Sequence, residues 1–453
     1  MDSPHERLHV VTATRHRWLV VALFTFAFAF AYLDRQVLTL LIDPIRHSIG
    51  LNDTQVGLLQ GFAFALCFAV GGVPLGWLID NWNRTRVASA CVALWSLSTV
   101  SSGIAASYSQ LLAVRSITAL SEAGCSPAAL SIFADIFPPR LLPRVTAIYT
   151  AAPYFGGGAS LFAGGYLLAR FNRTSGLDIP WLGHLLPWQA VFVVIGMPGL
   201  LLALLILLCL CEPARREGDK LAGGTIRLRD VLRFIGRDSG YLPAYFGAYA
   251  CILAAFFSLI TWYPTLAIRS AFGSAASLGP KLGVTFLVCG LMGSVSAQWF
   301  VGRAGDAQIV QRVMRLASWF IALQLPASLI LARAASIETS IIGYAVMVFA
   351  IGVLTSLMPI PLQVGVPNRM RGRVIGLFIF GVNVVGTGAG PVLVGSLSDA
   401  LGNTAKALSA ALPGVLLACS CAAFFCMRYA LKQLLRKQDL PSTSVVQPTD
   451  VSL

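Results

Sequence analysis

The sequence predicts an all-α integral membrane protein whose twelve transmembrane helices form two pseudo-symmetric six-helix bundles. Three observations predict this fold. Of the 453 residues, 57% are hydrophobic and only 11% are charged, whereas soluble domains carry about 25% charged residues. Twelve apolar stretches each approach or exceed the roughly 20 residues that cross a bilayer as a helix. Finally, sequence features of the first half return in the second half.

Each apolar stretch is expected to be a helix, because lipid offers no partners for unpaired backbone groups and no barrel-like alternation is present. The predicted spans cover residues 18–40, 54–79, 87–107, 110–135, 143–169, 187–211, 241–268, 282–301, 313–333, 339–362, 374–397 and 407–430. They divide the chain into a tail (1–17), an N-terminal bundle (18–211), a linker (212–240), a C-terminal bundle (241–430) and a second tail (431–453).

The net charge is +14, and the basic residues are distributed unequally between the two sides of the predicted membrane topology. Most of the 33 lysines and arginines fall in the tails and in the loops on the side of the termini. The opposite loops hold only Arg46, Arg170, Arg173, Arg269, Lys281, Arg333 and Lys406. The positive-inside rule therefore predicts that both termini are cytoplasmic. The basic charge is expected to attract anionic membrane lipids and does not indicate nucleic acid. Short loops and tails suggest a bacterial inner-membrane protein.

The sequence gives no sign of a metal site, a cofactor or an enzyme. Its ten cysteines lie scattered in apolar spans without a C-x-x-C motif, and its five histidines all lie in tails or loops. No phosphate-binding loop follows a strand. In the linker, Arg227, Arg229, Arg233 and Arg237 alternate with apolar residues. This pattern fits a basic amphipathic helix on the membrane face or a solvated linker, and the sequence leaves both open.

One short motif occurs in both halves. Gly76 and Asp80, followed by Arg84, close the second span, and Gly302 with Asp306 closes the eighth. An aspartate at a helix end can pair with a nearby arginine or with one across the interface between the halves. A structural cap is the alternative.

The repeated motif and the twelve spans resemble the major facilitator superfamily over about residues 15–435. The segments Tyr32–Arg35 and Arg115–Glu122, together with Trp95, are similar to those of its Spinster-like branch. The resemblance implies a monomeric transporter with a substrate site between two rocking halves. It also implies that Gly76, Asp80 and Arg84 latch one conformation, and we expect Asp135 and Asp306 to take part.

Four ionisable residues lie inside the spans: Asp34, Arg35, Arg115 and Glu122. Charges at such depth are costly and suggest function. Counting 1.5 Å per residue from the span ends places Asp34 and Arg115 at matching depth, so they are expected to pair, although Arg35 competes. Glu122 lies two turns beyond Arg115 with no cation in its own turn. We expect Glu122 and Asp34 to couple transport to protons, or else Glu122 to be a neutral packing residue.

The two arginines are candidate ligands for an anionic group, since guanidinium matches carboxylate and phosphate. The alternative is that either arginine serves only as a counter-ion to Asp34. The charge-free C-terminal half is expected to supply an apolar cavity wall. The full set of substrate-binding candidates is Arg35, Arg115, Tyr154, Tyr245, Tyr249, Trp262 and Asn383. The aromatic members also suit core packing.

Together these features predict a proton-coupled secondary transporter of a lipid-like or otherwise amphipathic anionic small molecule, working by alternating access. The alternative is a proton symporter that imports a small organic acid, such as a sugar acid or an aromatic carboxylate. A non-transporting sensor or lipid scaffold would leave the repeat and the buried charges without a purpose.

Overall fold

A computed structural model describes residues 4–180, 183–215, 228–302, 306–402 and 404–439. These residues are almost entirely helical, with one two-stranded hairpin. The first half contains α1 (Pro4–Ile49), α2 (Asp53–Gln60), α3 (Phe62–Asn81), α4 (Arg84–Ser102), α5 (Tyr108–Ile136), α6 (Leu142–Arg173), β1 (Leu177–Ile179), β2 (Gly183–Leu185) and α7 (Pro187–Cys209). The second contains α8 (Leu228–Arg233), α9 (Leu242–Arg269), α10 (Ala275–Val301), α11 (Asp306–Arg333), α12 (Ile337–Leu357), α13 (Ile360–Gly365), α14 (Asn368–Val382), α15 (Gly388–Ala400) and α16 (Ala405–Asp439).

These helices confirm the predicted twelve-span fold. Within the described ranges, 10 helical segments are long and apolar enough to cross a membrane. The more polar helices α4 and α6, of 19 and 32 residues, complete the set. Three crossings are irregular. The second is interrupted at Gly61, between α2 and α3. The tenth is interrupted at Met358 and Pro359, between α12 and α13. The eleventh contains a π-helical turn (Asn383–Thr387) between α14 and α15.

Some boundaries differ from the predicted ones. Helix α1 begins at Pro4, so most of the predicted N-terminal tail continues the first span as helix. In the linker, α8 runs into a π-helical turn (Phe234–Asp238), and residues 216–227 lie outside the described part. Val231 is buried while Arg229 and Arg233 are exposed, which fits the amphipathic alternative for this segment.

The hairpin between α6 and α7 was not predicted. Its two strands are only three residues long, too short to stand out in the sequence. His184 of β2 holds the hairpin together, because Nδ1 lies 2.8 Å from Asp178 Oδ1 and Nε2 lies 2.9 Å from the carbonyl oxygen of Ser175.

Small residues let the helices approach closely, as the glycine-rich spans predict. A Cβ atom on Gly156 of α6 would overlap the carbonyl oxygen of Ala29 on α1. Between the bundles, α6 and α10 meet at Gly158 and Gly283, where each backbone faces the other directly. Helix pairs of this kind depend on van der Waals contact between backbones, which a side chain would prevent.

The bundles touch at one end and separate at the other. We call the end where α1 begins and α16 ends the terminus side, and the opposite end the far side. On the far side, α2 packs on α15, with Gly57 against the backbone of Pro391 and Gly61 against the carbonyl oxygen of Gly388. On the terminus side, four glycines of α3 and α14 have no neighbour within 4 Å of a Cβ position: Gly72, Gly76, Gly372 and Gly376. A cleft therefore opens toward the terminus side.

Candidate functional site

A cavity of about 410 Å³ lies between the two bundles near the middle of the spans. Its wall is mainly aromatic and aliphatic, with a few polar side chains. It is lined by Phe28, Ala31, Tyr32, Arg35, Phe64, Ala65, Phe68, Ala69, Gly72, Trp95, Glu122, Cys125, Ser126, Phe257, Gly376, Ile379, Phe380, Asn383 and Thr387. Small-molecule sites have this character and fall in the same size range, about 300–1,000 Å³.

An ion pair forms the charged part of this wall. Nη2 of Arg35, on α1, lies 3.0 Å from Oε2 of Glu122, on α5. The side chains are only 14% and 5% exposed. The sequence showed only that Glu122 has no cation in its own turn. The neighbouring helix α1 supplies the partner, and spacing along a single helix does not reveal such a contact.

A second ion pair lies behind the wall, between Asp34 and Arg115. Nη1 of Arg115 lies 3.0 Å from Oδ2 of Asp34, and both side chains are at most 2% exposed. The pairing predicted from matching depth is confirmed. Among the described residues, Oδ1 of Asp34 and Nε and Nη2 of Arg115 have no hydrogen-bond partner. This pair therefore keeps unused hydrogen-bonding capacity in a buried position, where such capacity is costly.

Phe64 of α3 connects the two pairs. Its ring lies 4.0 Å from the guanidinium carbon of Arg35 and 5.8 Å from that of Arg115. Both distances fall within the range of a cation–π contact. Glu122 also interacts electrostatically with Asp34 and Arg115. Asp34, Arg35, Arg115 and Glu122 thus form one network, called here the charge quartet, and a change at one member affects the others.

The predicted aromatic ligands lie elsewhere. Tyr245, Tyr249 and Trp262 are fully buried, and each donates a hydrogen bond to a backbone carbonyl, of Met358, Leu354 and Pro391 respectively. They pack helices together and do not line this cavity. Tyr154 packs on Phe286 of the opposite bundle, with ring centroids 5.8 Å apart.

Asn383 does lie in the cavity wall, on the π-helical turn of the eleventh crossing. Its side-chain amide donates a 2.8 Å hydrogen bond to the carbonyl oxygen of Ile379. Turns of this type interrupt the regular hydrogen-bond ladder and are frequent at functional sites. Sequence reasoning missed Phe64 and Phe380, because a phenylalanine in an apolar span carries no signal that it faces a cavity.

The predicted latch residues are arranged differently from the expectation. Arg84 is buried and pairs with Asp135 on α5 and with Glu212 after α7, the latter at 2.7 Å. Asp80 is exposed, and its backbone carbonyl accepts a hydrogen bond from Arg215. Of the alternatives for Asp80, an ion pair with Arg84 is therefore not among the contacts of the described residues. Asp135, an expected latch residue, is instead the partner of Arg84, and Glu212 was not anticipated.

The structure describes no side-chain contact for the other two latch candidates, Gly76 and Asp306. Gly76 faces open space on the terminus side. The main chain of Asp306 begins α11, and its side chain lies outside the described part of the structure.

A charged cluster on the far side joins the two bundles, and the sequence did not suggest it. Arg269, at the end of α9, donates to Asp43 of α1 at 2.7 and 2.9 Å and to Asp53 of α2 at 2.8 and 2.9 Å. Asp399 of α15 accepts from the backbone nitrogens of Asp53 and Thr54 at 3.1 and 2.7 Å. We call Asp43, Asp53, Arg269 and Asp399 the far-side cluster. Charges at span ends resemble ordinary loop charges, so their pairing was not evident from the sequence.

Two bundles of membrane helices around a central cavity, joined at one end and open at the other, have the architecture of a membrane transporter. The chain belongs to the major facilitator superfamily, whose sequence model matches residues 24–391. Proteins of this family are transporters and not enzymes. The chain is therefore a multi-pass membrane transporter of a small-molecule substrate.

Known proteins of several kinds are similar to it. An MFS-type efflux pump of Mycolicibacterium smegmatis is 29% identical over 88% of this chain and 90% of its own length. The probable galactarate/D-glucarate transporter GudP of Escherichia coli is 24% identical over 86% and 89%. Protein spinster of Drosophila melanogaster is 24% identical over 85% of this chain and 63% of its own length.

Among solved structures, a bacterial homologue of the human lysosomal transporter Spinster, in an inward-facing and unoccupied conformation, has a TM-score of 0.78. It is 23% identical, and the match covers 94% of this chain and 99% of that one. This similarity confirms the fold.

Proposed function

We propose that the chain is a proton-coupled secondary transporter of an amphipathic or lipid-like anion, and that it works by alternating access. One observation carries the proposal: the Arg35–Glu122 ion pair stands in the wall of an otherwise apolar cavity between the bundles. The cavity thus offers a charged position to a headgroup and a large apolar surface to a hydrophobic body.

Arg35 is the proposed ligand for the anionic group. Its guanidinium borders the cavity, and within the described residues its Nε has no hydrogen-bond partner. The indole Nε1 of Trp95, also in the wall, is likewise without an acceptor among the described residues. Aromatic side chains of both bundles, Phe68, Phe257 and Phe380, provide surface for the apolar body. Arg115 supports this site from behind the wall, where it holds Asp34.

Glu122 is the proposed proton carrier, with Asp34 in support. A proton on Glu122 neutralises the partner of Arg35 and leaves the guanidinium free for a carboxylate or phosphate of the substrate. Proton and substrate then share Arg35, which is the condition for coupling, because a ligand shifts a conformational equilibrium only through its differential affinity. The proton and the substrate therefore each bind more tightly when the other is bound. After both have left, the ion pair between Arg35 and Glu122 forms again.

The proposed orientation follows the positive-inside rule. The terminus side is cytoplasmic in the bacterial inner membrane, so the described cleft opens to the cytoplasm. The chain is proposed to act as a monomer, since each copy contains both bundles and the complete cavity. The repeated Gly–Asp motif, with Arg84 and Asp135 on the first bundle, is proposed to take part in closing the terminus side.

Import of a small organic acid is the second candidate. It is favoured by the similarity to the galactarate/D-glucarate transporter named above, at 24% identity, since a sugar acid would use the same arginine. The many aromatic residues of the wall favour the amphipathic substrate, because a polyhydroxylated acid would meet few hydrogen-bonding groups there. Thermal stabilisation of the purified protein by lysophospholipids, sugar acids and aromatic acids compares the two candidates directly.

Proton coupling is tested by transport in proteoliposomes with an imposed pH gradient, using the substrate found by that screen. Glu122→Gln is expected to abolish gradient-driven accumulation while keeping exchange of bound substrate, because the neutral side chain mimics the protonated state. Asp34→Asn is expected to reduce both activities, because it frees Arg115. Asp178→Asn, on the far-side hairpin, is the control and should behave as the unmodified protein. If both carboxylate variants keep full gradient-driven transport, proton coupling is wrong.

A further inference from the structure

A second, larger cavity of about 720 Å³ lies on the outer surface of the N-terminal bundle. It is a groove between α3 and α4, which both pack on α5 and have little contact with each other. Leu75 and Leu78 form one wall, Ala90 and Leu94 form the other, and Leu120 of α5 forms the floor.

This groove is separate from the transport cavity. Helix α3 divides the two, with Phe68 and Gly72 on the face toward the transport cavity and Leu75 and Leu78 on the face toward the groove. The outer walls are open to the surroundings, since Leu94 is 48% exposed. In a membrane-spanning protein this surface faces lipid.

The groove has the dimensions of one lipid leaflet. It extends along α4 from Arg86, near the terminus-side end, to Leu94 near the middle of the helix. Eight residues of helix rise about 12 Å at 1.5 Å per residue. One leaflet contributes half of a hydrocarbon core about 30 Å thick. An acyl chain lying in the groove would therefore reach from the membrane surface to the midplane.

A positively charged side chain that belongs to no ion pair among the described residues lies at the surface end of the groove. Arg86 is exposed, and none of the ion pairs among the described residues includes it. Two nearby arginines are already occupied. Arg84 pairs with two carboxylates, and Arg215 donates to backbone carbonyls at the end of α3. Trp82, 62% exposed, stands beside Arg86 at the rim. Tryptophan and arginine are the residues expected where a membrane surface meets a helix end.

We propose that this groove binds one anionic phospholipid on the terminus side, with an acyl chain between α3 and α4 and the phosphate at Arg86. An apolar trough one leaflet deep, ending at a free guanidinium, complements a lipid in shape and in charge. The site is distinct from the transport cavity and does not depend on the identity of the transported molecule.

Native mass spectrometry of the full-length purified protein tests the proposal. The probes are phosphatidylglycerol, zwitterionic phosphatidylcholine and the soluble headgroup glycerophosphoglycerol. Phosphatidylglycerol is expected to bind most tightly, and glycerophosphoglycerol is expected not to bind. Arg86→Gln should weaken phosphatidylglycerol binding about five-fold, the effect of one basic residue at an anionic membrane surface, whereas Arg86→Lys keeps the affinity. Ala90→Trp, which fills the groove, should reduce binding of both lipids.

Arg229→Gln is the matched control, because it removes one exposed charge from the same side of the protein and should bind phosphatidylglycerol as the unmodified protein does. A photoreactive group on the acyl chain gives a second readout and should label peptides of α3 and α4 without any substitution in the groove. The proposal is overturned if Arg86→Gln and Arg229→Gln bind equally well, if glycerophosphoglycerol binds as tightly as the lipid, or if labelling falls on other helices.

Discussion

Removing the arginine of the far-side cluster should open the far side. Arg269 is the one residue of the cluster that contacts both Asp43 of α1 and Asp53 of α2, and it makes four hydrogen bonds between the bundles. Its side chain is 9% exposed, and that of Asp53 is fully buried. Arg269→Gln keeps the length of the side chain and removes the charge.

The size of the effect of Arg269→Gln can be estimated from the burial of the far-side cluster. Breaking a buried ion pair by removing one partner costs about 3–5 kcal/mol. Two features reduce this value here: Asp43 is 20% exposed, and Arg46 lies 3.3 Å from Asp53 and partly replaces the lost charge. We therefore expect a loss of roughly 2 kcal/mol from the far-side-closed state, which at 1.4 kcal/mol per factor of ten is about a 30-fold shift in the conformational equilibrium.

The assay is the distance between spin labels at His47 and Lys406, which are exposed on the far side of opposite bundles. Replacement of the exposed cysteines Cys209 and Cys211 by serine precedes labelling. The unmodified protein should give a single short distance. Arg269→Gln should add a longer component that becomes a large fraction of the distribution.

Arg333→Gln is the control, since Arg333 is also exposed on the far side of the second bundle and belongs to no ion pair among the described residues. Equal distance distributions for Arg269→Gln and Arg333→Gln would refute the assignment of the far-side cluster as the contact that holds this state.

Three further outcomes follow from described contacts. Arg84→Gln should lower the free energy of unfolding by roughly 3 kcal/mol, because it removes one member of a buried network. Arg86→Gln is the control and should change the free energy of unfolding by less than about 0.5 kcal/mol. Chemical denaturation measures both values. Gly156→Ala should destabilise the protein by about 1–3 kcal/mol through overpacking. Gly76→Ala, with open space around it, should be neutral or stabilising by up to about 1 kcal/mol. A thermal-unfolding comparison should therefore show a lower midpoint for Gly156→Ala and no decrease for Gly76→Ala. The hydrogen bonds that the ring of His184 donates to the carboxylate of Asp178 and to the carbonyl oxygen of Ser175 raise the pKa of His184 in the folded protein. The stabilisation of the hairpin by His184 is therefore present below the ordinary histidine pKa of about 6.5 and is lost as the pH rises through the raised pKa. Hydrogen exchange in the hairpin, corrected for intrinsic rates, should be slower at about pH 5 than at about pH 8, and His184→Gln should remove the difference.

Hydrophobic run lengths were sufficient to predict the fold. The spans are long and the lipid environment permits few alternatives, so the helices occur where the sequence placed them, although the first and last helices extend well beyond the predicted spans. The Asp34–Arg115 pair was also predictable, because depth along a span depends only on the rise per residue.

Rotation about the helix axis was not predictable, and it accounts for most differences at the site. Arg35 follows Asp34 directly, so the two side chains leave α1 about 100° apart and find different partners. Similarly, Tyr245 and Tyr249 lie on one face of α9, and that face turned out to point at α12 instead of the cavity. Hydrophobic positions on all sides of a span leave this angle undetermined.

The interruption at Gly61 divides the second crossing into two helices, α2 and α3, which pack mainly against different bundles. The 8 residues of α2 are held by Asp399 of the opposite bundle, whereas α3 packs mainly on α5 of its own bundle and less on α15. Gly61, with φ −102° and ψ −94°, is a position where a change in backbone dihedrals can be absorbed, as at other hinges. When the bundles separate on the far side, α2 can therefore stay with α15 while α3 moves away. Movement at the far-side entrance then involves a short helical flap instead of a whole transmembrane helix.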